Sequence, residues 1–214
     1  MSFLDTVKSY SVAAWSTPGN FRNLIAKPFD LVGKYCEYLD KQLPFMGLIR
    51  HMTHFKDMIG GLAHLQNPRE LLPISSEGSF KLEVNIDNIS LMAFKQWELL
   101  TYLKRVKIFE LSPQYEKYLN WYGTFGGSVL SLTKLKEEWS QPADKTNSWV
   151  PDAKHFSWVR VAVNGSALAL SVLYNPMWDA QKDYKLPKLV AFTVMVVAGA
   201  VDGYWKECAK RKVA

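Results

Sequence analysis

The chain reads as an all-α membrane protein: helices throughout, one strongly amphipathic helix, and two or three short apolar segments. Three observations carry this reading. Apolar residues recur every three or four positions along most of the 214 residues, the period of a helix face. Only Phe80–Ile86 alternates like a strand, and no second strand pattern stands ready to pair with it, so a loop or a lead-in to a helix is expected there. Three uncharged apolar runs, 118–133, 161–178 and 189–201, approach the length of a bilayer crossing.

The elements follow in order. Residues 2–15 bring Phe3, Leu4, Val7, Tyr10 and Ala14 to one side of a short helix. Thr17-Pro18-Gly19-Asn20 reads as a turn. A second helix is expected from about Lys27 to Gln42, with Pro44 separating it from the next. Residues 44–66 then carry the sharpest pattern in the chain. Phe45, Leu48, Ile49, Met52, Phe55, Met58, Ile59, Leu62 and Leu65 form an apolar stripe, and Arg50, Thr53, His54, Asp57, Gly60, Gly61 and His64 face away from it. Residues 67–79 are loop-like. Asp87-Asn88 signals a helix start, with the helix running from about Ile89 to Phe109. Ser112-Pro113 starts another, to about Trp139. A polar stretch at 141–152 leads into two apolar helices, Phe156–Trp178 and Pro187–Trp205, joined by a charged turn. Three regions result: a helical part at 1–68 containing the amphipathic helix, a central pair at 80–139, and an apolar hairpin with a basic tail at 153–214.

The apolar runs reach about 24, 27 and 20 Å as helices, against a hydrocarbon core of about 30 Å. Asn164-Gly165 and Asn175-Pro176 interrupt the middle one. The last extends to Trp205 if Asp202 is accepted, at an intramembrane cost of a few kcal/mol unless the carboxylate finds a partner. Tyr204 and Trp205 before a basic tail look like an interfacial anchor, with the tail expected in the cytosol. Gly123 and Gly127, and again Gly199 and Gly203, have the small-xxx-small spacing that lets helices approach, and a homo-oligomer is expected through them. Short apolar helices of this kind also form the cores of soluble bundles.

Composition narrows the function classes. Eight Trp, ten Tyr and eleven Phe suit boundaries with one wet and one dry side. The net charge of +6 gathers at Lys104, Arg105 and Lys107 and at Lys206, Lys210, Arg211 and Lys212, beside apolar segments. That placement suits an anionic lipid surface, and no nucleic-acid-binding motif is present. Cys36 and Cys208 are expected as free thiols of a reducing compartment. Neither a secretory leader nor the usual C-terminal peroxisomal matrix address is expected from the two ends.

No catalytic constellation, cofactor loop or metal site is expected. His51 and His54 stand three apart, but only Asp57 accompanies them and His51 projects toward the apolar side. Gly60-Gly61 and Gly126-Gly127 lie inside helix patterns and do not form a phosphate loop.

Four stretches together carry a resemblance: TPGNFRNLIAKPFDLVGKYC (17–36), the amphipathic 44–66, Ile89–Phe109 followed by 118–133, and VAVNGSALAL (161–170) leading to LVAFTVMVVAGAV. In order and character the chain resembles the eleventh-peroxin family of peroxisome-elongation membrane proteins, and among them most the glycosomal integral membrane proteins of kinetoplastids. Gly19-Asn20-Phe21-Arg22 departs from the charged run the family carries there. The resemblance implies a protein of the peroxisomal or glycosomal membrane, without enzymatic activity, that promotes elongation and division of the organelle, with organelle fission machinery among its partners. Some family members are linked to metabolite passage. Physically, wedging Phe45, Leu48, Ile49, Met52, Phe55, Ile59 and Leu62 into one leaflet expands it against the other. Arg50 and Lys56 at the edges would reach lipid phosphates. The alternative readings are a structural subunit of a mitochondrial or other membrane complex and a metabolite pore of the peroxisomal membrane, with the mitochondrial inner membrane as the alternative location.

Overall fold

The computed structural model describes residues 3–15, 17–39, 86–142, 155–176 and 184–213, together with Pro44 and Leu48. Among these residues all regular structure is helical, as the periodicity predicts. The first helix is Phe3–Trp15 (α1). The expected turn at 17–20 is instead the start of a helical turn, Pro18–Phe21 (α2), because Thr17 Oγ1 accepts the Asn20 amide at 3.1 Å. A π-helical turn, Arg22–Ala26, leads into Lys27–Tyr38 (α3). Pro28 explains the widening: it has no N–H for the carbonyl of Leu24, and its ring crowds that carbonyl. Tyr10 Oη donates to the Leu24 oxygen at 2.6 Å, so the freed carbonyl is satisfied from α1. Apart from Pro44 and Leu48, the amphipathic stretch 44–66 lies outside the described residues, as do His51, His54 and Asp57.

Ile86–Arg105 (α4) starts before the expected Asp87-Asn88 cap. The Asp87 carboxylate is used elsewhere, accepting the Thr133 hydroxyl at 2.7 Å. The helix closes on Lys107, whose φ of 60° is the left-handed turn that ends many helices. Pro113–Trp139 (α5) starts where Ser112-Pro113 predicts, with Ser112 as its N-cap. Trp158–Leu173 (α6) follows, then Lys185–Val213 (α7), which runs well past the expected Trp205.

The helices pack in chain order. α4 and α5 are antiparallel along a seam of small residues and polar clasps. Trp97 Nε1 donates to Asn120 at 3.1 Å, Tyr122 Oη donates to Gln96 at 3.0 Å, and Lys104 pairs with Glu116 at 2.5 Å. α5 hands over to α6 through a buried ion pair. Glu138, 5% exposed, accepts the Ser157 amide at 2.5 Å and Arg160 Nε and Nη2 at 2.5 and 2.9 Å. One carboxylate thus caps the next helix and neutralises its guanidinium. α6 and α7 close around Leu170, Phe192 and Val196, with Leu31 of α3 joining from the side.

The N-terminal helices lie along α7. Ala13, Ala14 and Leu24 form a core with Tyr10, Ala200 and Tyr204. Tyr35 Oη and Thr193 Oγ1 stand 3.1 Å apart, and Asn20 Nδ2 donates to Glu207 at 3.2 Å. Arg22 in the π turn also pairs with Glu98 of α4. The N-terminal helices and α4 therefore share one side of the α5–α6–α7 layer, and the other side is left to the surroundings.

Candidate membrane interface

α7 is the one helix among the described residues that is long and apolar enough to cross a membrane. The most apolar 18-residue window within 185–208 has a mean hydropathy of 1.6. The core helix of a soluble protein has the same composition but is mostly buried, whereas here 17% of the apolar window is buried. α6 is apolar but short, and α5 is too polar, so one of the three expected segments meets the test.

What α7 leaves uncovered is a continuous stripe. Leu186, Val190, Val194, Val197, Val201 and Trp205 are each between 37% and 55% exposed, at the three- and four-residue steps of one helix face. From Leu186 to Trp205 the stripe runs about 29 Å. Lys185 and Lys206 bracket it, and no charged residue interrupts it. Beside and behind the stripe, α7 carries Thr193, Gly203 and Glu207, which meet α3, the π turn and α2 in turn.

α5 repeats the device with larger rings. Tyr118, Trp121, Phe125, Leu132 and Trp139 are 40–59% exposed along its outer side, with Lys136 the charged residue among them. α6 between them presents Trp158 and Val172. Because consecutive helices alternate in direction, aromatic residues collect at both ends of the layer. Trp139 meets Phe156 and Trp158 edge-on, with ring centres 6.1 and 6.5 Å away, and Trp205 lies at the same end. Tyr115, Tyr118, Trp121, Tyr174 and Tyr184 occupy the other, where Lys188 sits over the Tyr174 ring at 4.6 Å. Two shallow apolar grooves cross the surface. One, of about 570 Å³, runs between α6 and α7 beside Ala169, Leu173, Val190 and Val194. The other, of about 610 Å³, lies between Tyr118, Trp121 and Pro176. A flat apolar face with aromatic ends and basic edges is what a bilayer interface selects.

Asp202 does not face this surface. It opens on a polar cleft of about 440 Å³ with Glu138, Arg160, Asn164 and Lys134, and takes the Lys206 ammonium at 2.6 Å. Its second oxygen, Oδ1, is buried with no hydrogen-bond partner among the described residues. Among the described residues, no three His, Cys, Asp or Glu side chains gather into a metal-binding group.

The residues expected at the site are distributed unevenly. Phe45, Ile49, Arg50, Met52, Phe55, Lys56, Ile59 and Leu62 lie outside the described residues, and Leu48 is exposed. Gly123 and Gly127 are buried inside the chain: Gly123 lies against the Trp97 ring, and a Cβ on Gly127 would come 2.9 Å from Ser171 Oγ. The face expected to serve self-association is thus filled by α4 and α6 of the same chain. Gly203 packs toward Leu24, and at Gly199 an added Cβ meets nothing within 4 Å. The stripes on α5 and α7 were not singled out from the sequence. The steps Tyr118, Trp121, Phe125 were a readable signal for the first. α7 is apolar on so many sides that no period marks its outer face. No family model, curated protein or solved structure matches the chain.

Proposed function

We propose that the protein shapes the membrane of peroxisomes or glycosomes, promoting its elongation, curvature and division by seating apolar helical surface in the bilayer and self-associating there. The observation that carries the membrane part is the exposed stripe from Leu186 to Trp205, bracketed by lysines and continued by the aromatic face of α5. Burying those side chains in hydrocarbon, even by half, is worth on the order of 10 kcal/mol before ordering and desolvation costs. The organelle and the elongating role rest on the resemblance to the eleventh peroxins. The amphipathic stretch 44–66 adds a second apolar surface by its residue pattern. Self-association, if it uses the small-residue sites, is directed to Gly199, since Gly123 and Gly127 are occupied within the chain.

The test is flotation of the full chain with anionic vesicles, followed by imaging of their shape. Co-flotation and conversion of spheres to tubules is the expected result. The double variant Val190→Glu, Val197→Glu should fold as before and stay at the bottom of the gradient. Spherical vesicles that carry bound protein would remove the shaping role, and protein that never floats would remove the membrane itself. In cells, tagged protein should mark peroxisomes and lengthen them. A mitochondrial pattern with co-purification in a large assembly would instead favour the structural-subunit reading.

A further inference from the structure

We infer that the α5–α6–α7 layer lies flat in one leaflet, its helix axes along the membrane plane, with anionic phospholipid as its partner. This rests on the membrane reading above and adds the orientation. Although α7 is long enough to stand across the bilayer, the company it keeps argues against doing so. α3 runs antiparallel beside it: Tyr35 is level with Thr193, and Leu24 is level with Gly203, 3.7 Å from the Cβ position there. Asp30, between those two levels and 8% exposed, therefore flanks the middle of α7. Lys34 stands over the Phe192 ring at 5.1 Å. An upright α7 would bring both charges, and the helix that bears them, to hydrocarbon depth, where ionised groups are costly. Laid flat, the same molecule keeps every one of these groups on the watery side.

The rest of the surface agrees. The apolar exposure is one-sided on α7 and α5, where a spanning helix pair needs lipid-compatible flanks at all depths. The exposed lysines 117, 136 and 185 stand on or beside the face, where headgroup phosphates would meet a flat-lying layer. A helical layer of this kind displaces headgroups without filling the far leaflet, which is the geometry that bends a membrane.

The experiment measures depth along α7. In the full chain with Cys36→Ala and Cys208→Ser, a nitroxide is attached in turn at Val190→Cys, Val194→Cys, Val197→Cys and Val201→Cys. The protein is bound to vesicles of phosphatidylcholine and phosphatidylserine, and each label's contact with oxygen and with a water-soluble nickel complex is read. A flat layer gives all four labels one shallow depth, and a membrane-impermeant amine reagent outside the vesicles reaches both Lys185 and Lys206. An upright helix gives depths that change by about 1.5 Å per residue, with the centre deepest and one lysine protected. That graded profile overturns the flat orientation and leaves the membrane reading standing. Four labels in water would overturn both.

Discussion

Glycines on α5 and two glycines of α6 and α7, Gly165 and Gly199, occupy opposite kinds of surroundings. At Gly126 an added Cβ would lie 2.6 Å from the Ser90 carbonyl oxygen and 2.8 Å from the Phe94 nitrogen, both backbone atoms of α4. At Gly165 and Gly199 it would meet nothing within 4 Å. Ser90 and Ala93, both fully buried, complete the first contact from the other side. The α4–α5 seam is thus closed backbone to backbone, and the α6–α7 pair keeps room beside Gly165 and Gly199. The same spacing of small residues marks an internal joint in one place and an open surface in the other. What separates them is the partner helix, which the spacing does not name.

The sharpest way to break this contrast is one substitution at two places. Gly126→Ala should destabilise by about 2–3 kcal/mol, since the α4 backbone must retreat. Gly199→Ala should stabilise by about 0.5–1 kcal/mol through helix propensity alone. Denaturant unfolding in mild detergent reads both, and equal signs would show that the two sites do not differ as described. A similar loss is expected at the next joint along the layer. Glu138→Gln leaves the half-buried Arg160 with a neutral partner and weakens the α6 cap, for about 3 kcal/mol. The paired change Glu138→Leu, Arg160→Met should cost less than the single one. If it costs more, the α5–α6 joint is held by charge in a way close packing cannot replace.

Smaller effects sharpen the picture at the ends of the seam. Lys107→Gly should raise stability by about 0.5–1 kcal/mol, because the left-handed φ of 60° is free of penalty only for glycine. No gain in the unfolding midpoint would mean the Lys107 side chain contributes to the loop. The smallest change concerns α1. Burial pushes the Tyr10 phenol up from its ordinary value, so the folded state keeps that proton after the unfolded chain has lost it. Stability should therefore hold below about pH 10 and fall as pH rises beyond it, and Tyr10→Phe should flatten that slope. A slope unchanged in the variant would assign the alkaline loss to other groups.

Much of the architecture is written in local signals. Ser112-Pro113 marks the start of α5, and the run after Pro187 marks most of α7. Asp87 misleads because its carboxylate serves a long-range bond to Thr133, an interaction no local rule contains. Thr17-Pro18-Gly19-Asn20 reads as a turn because its residues favour turns, yet Thr17 and Pro18 are equally the opening of a helix. The outer stripe of α7 escapes for a different reason. Leu189, Phe192 and Val196 face inward, Val190, Val194 and Val197 face outward, and all six are apolar. Only packing tells the two sets apart.

The pairing of Arg22 with Glu98 has a bearing on the long stretch between α3 and α4. It joins the helical run before residue 40 to the helix that begins at Ile86, so the intervening chain leaves and returns to one body. Residues 44–66 are covalently joined to that body at both ends. If the helical layer docks as proposed, any binding by residues 44–66 to the same surface is an intramolecular event. Two modest affinities would then act as one strong grip.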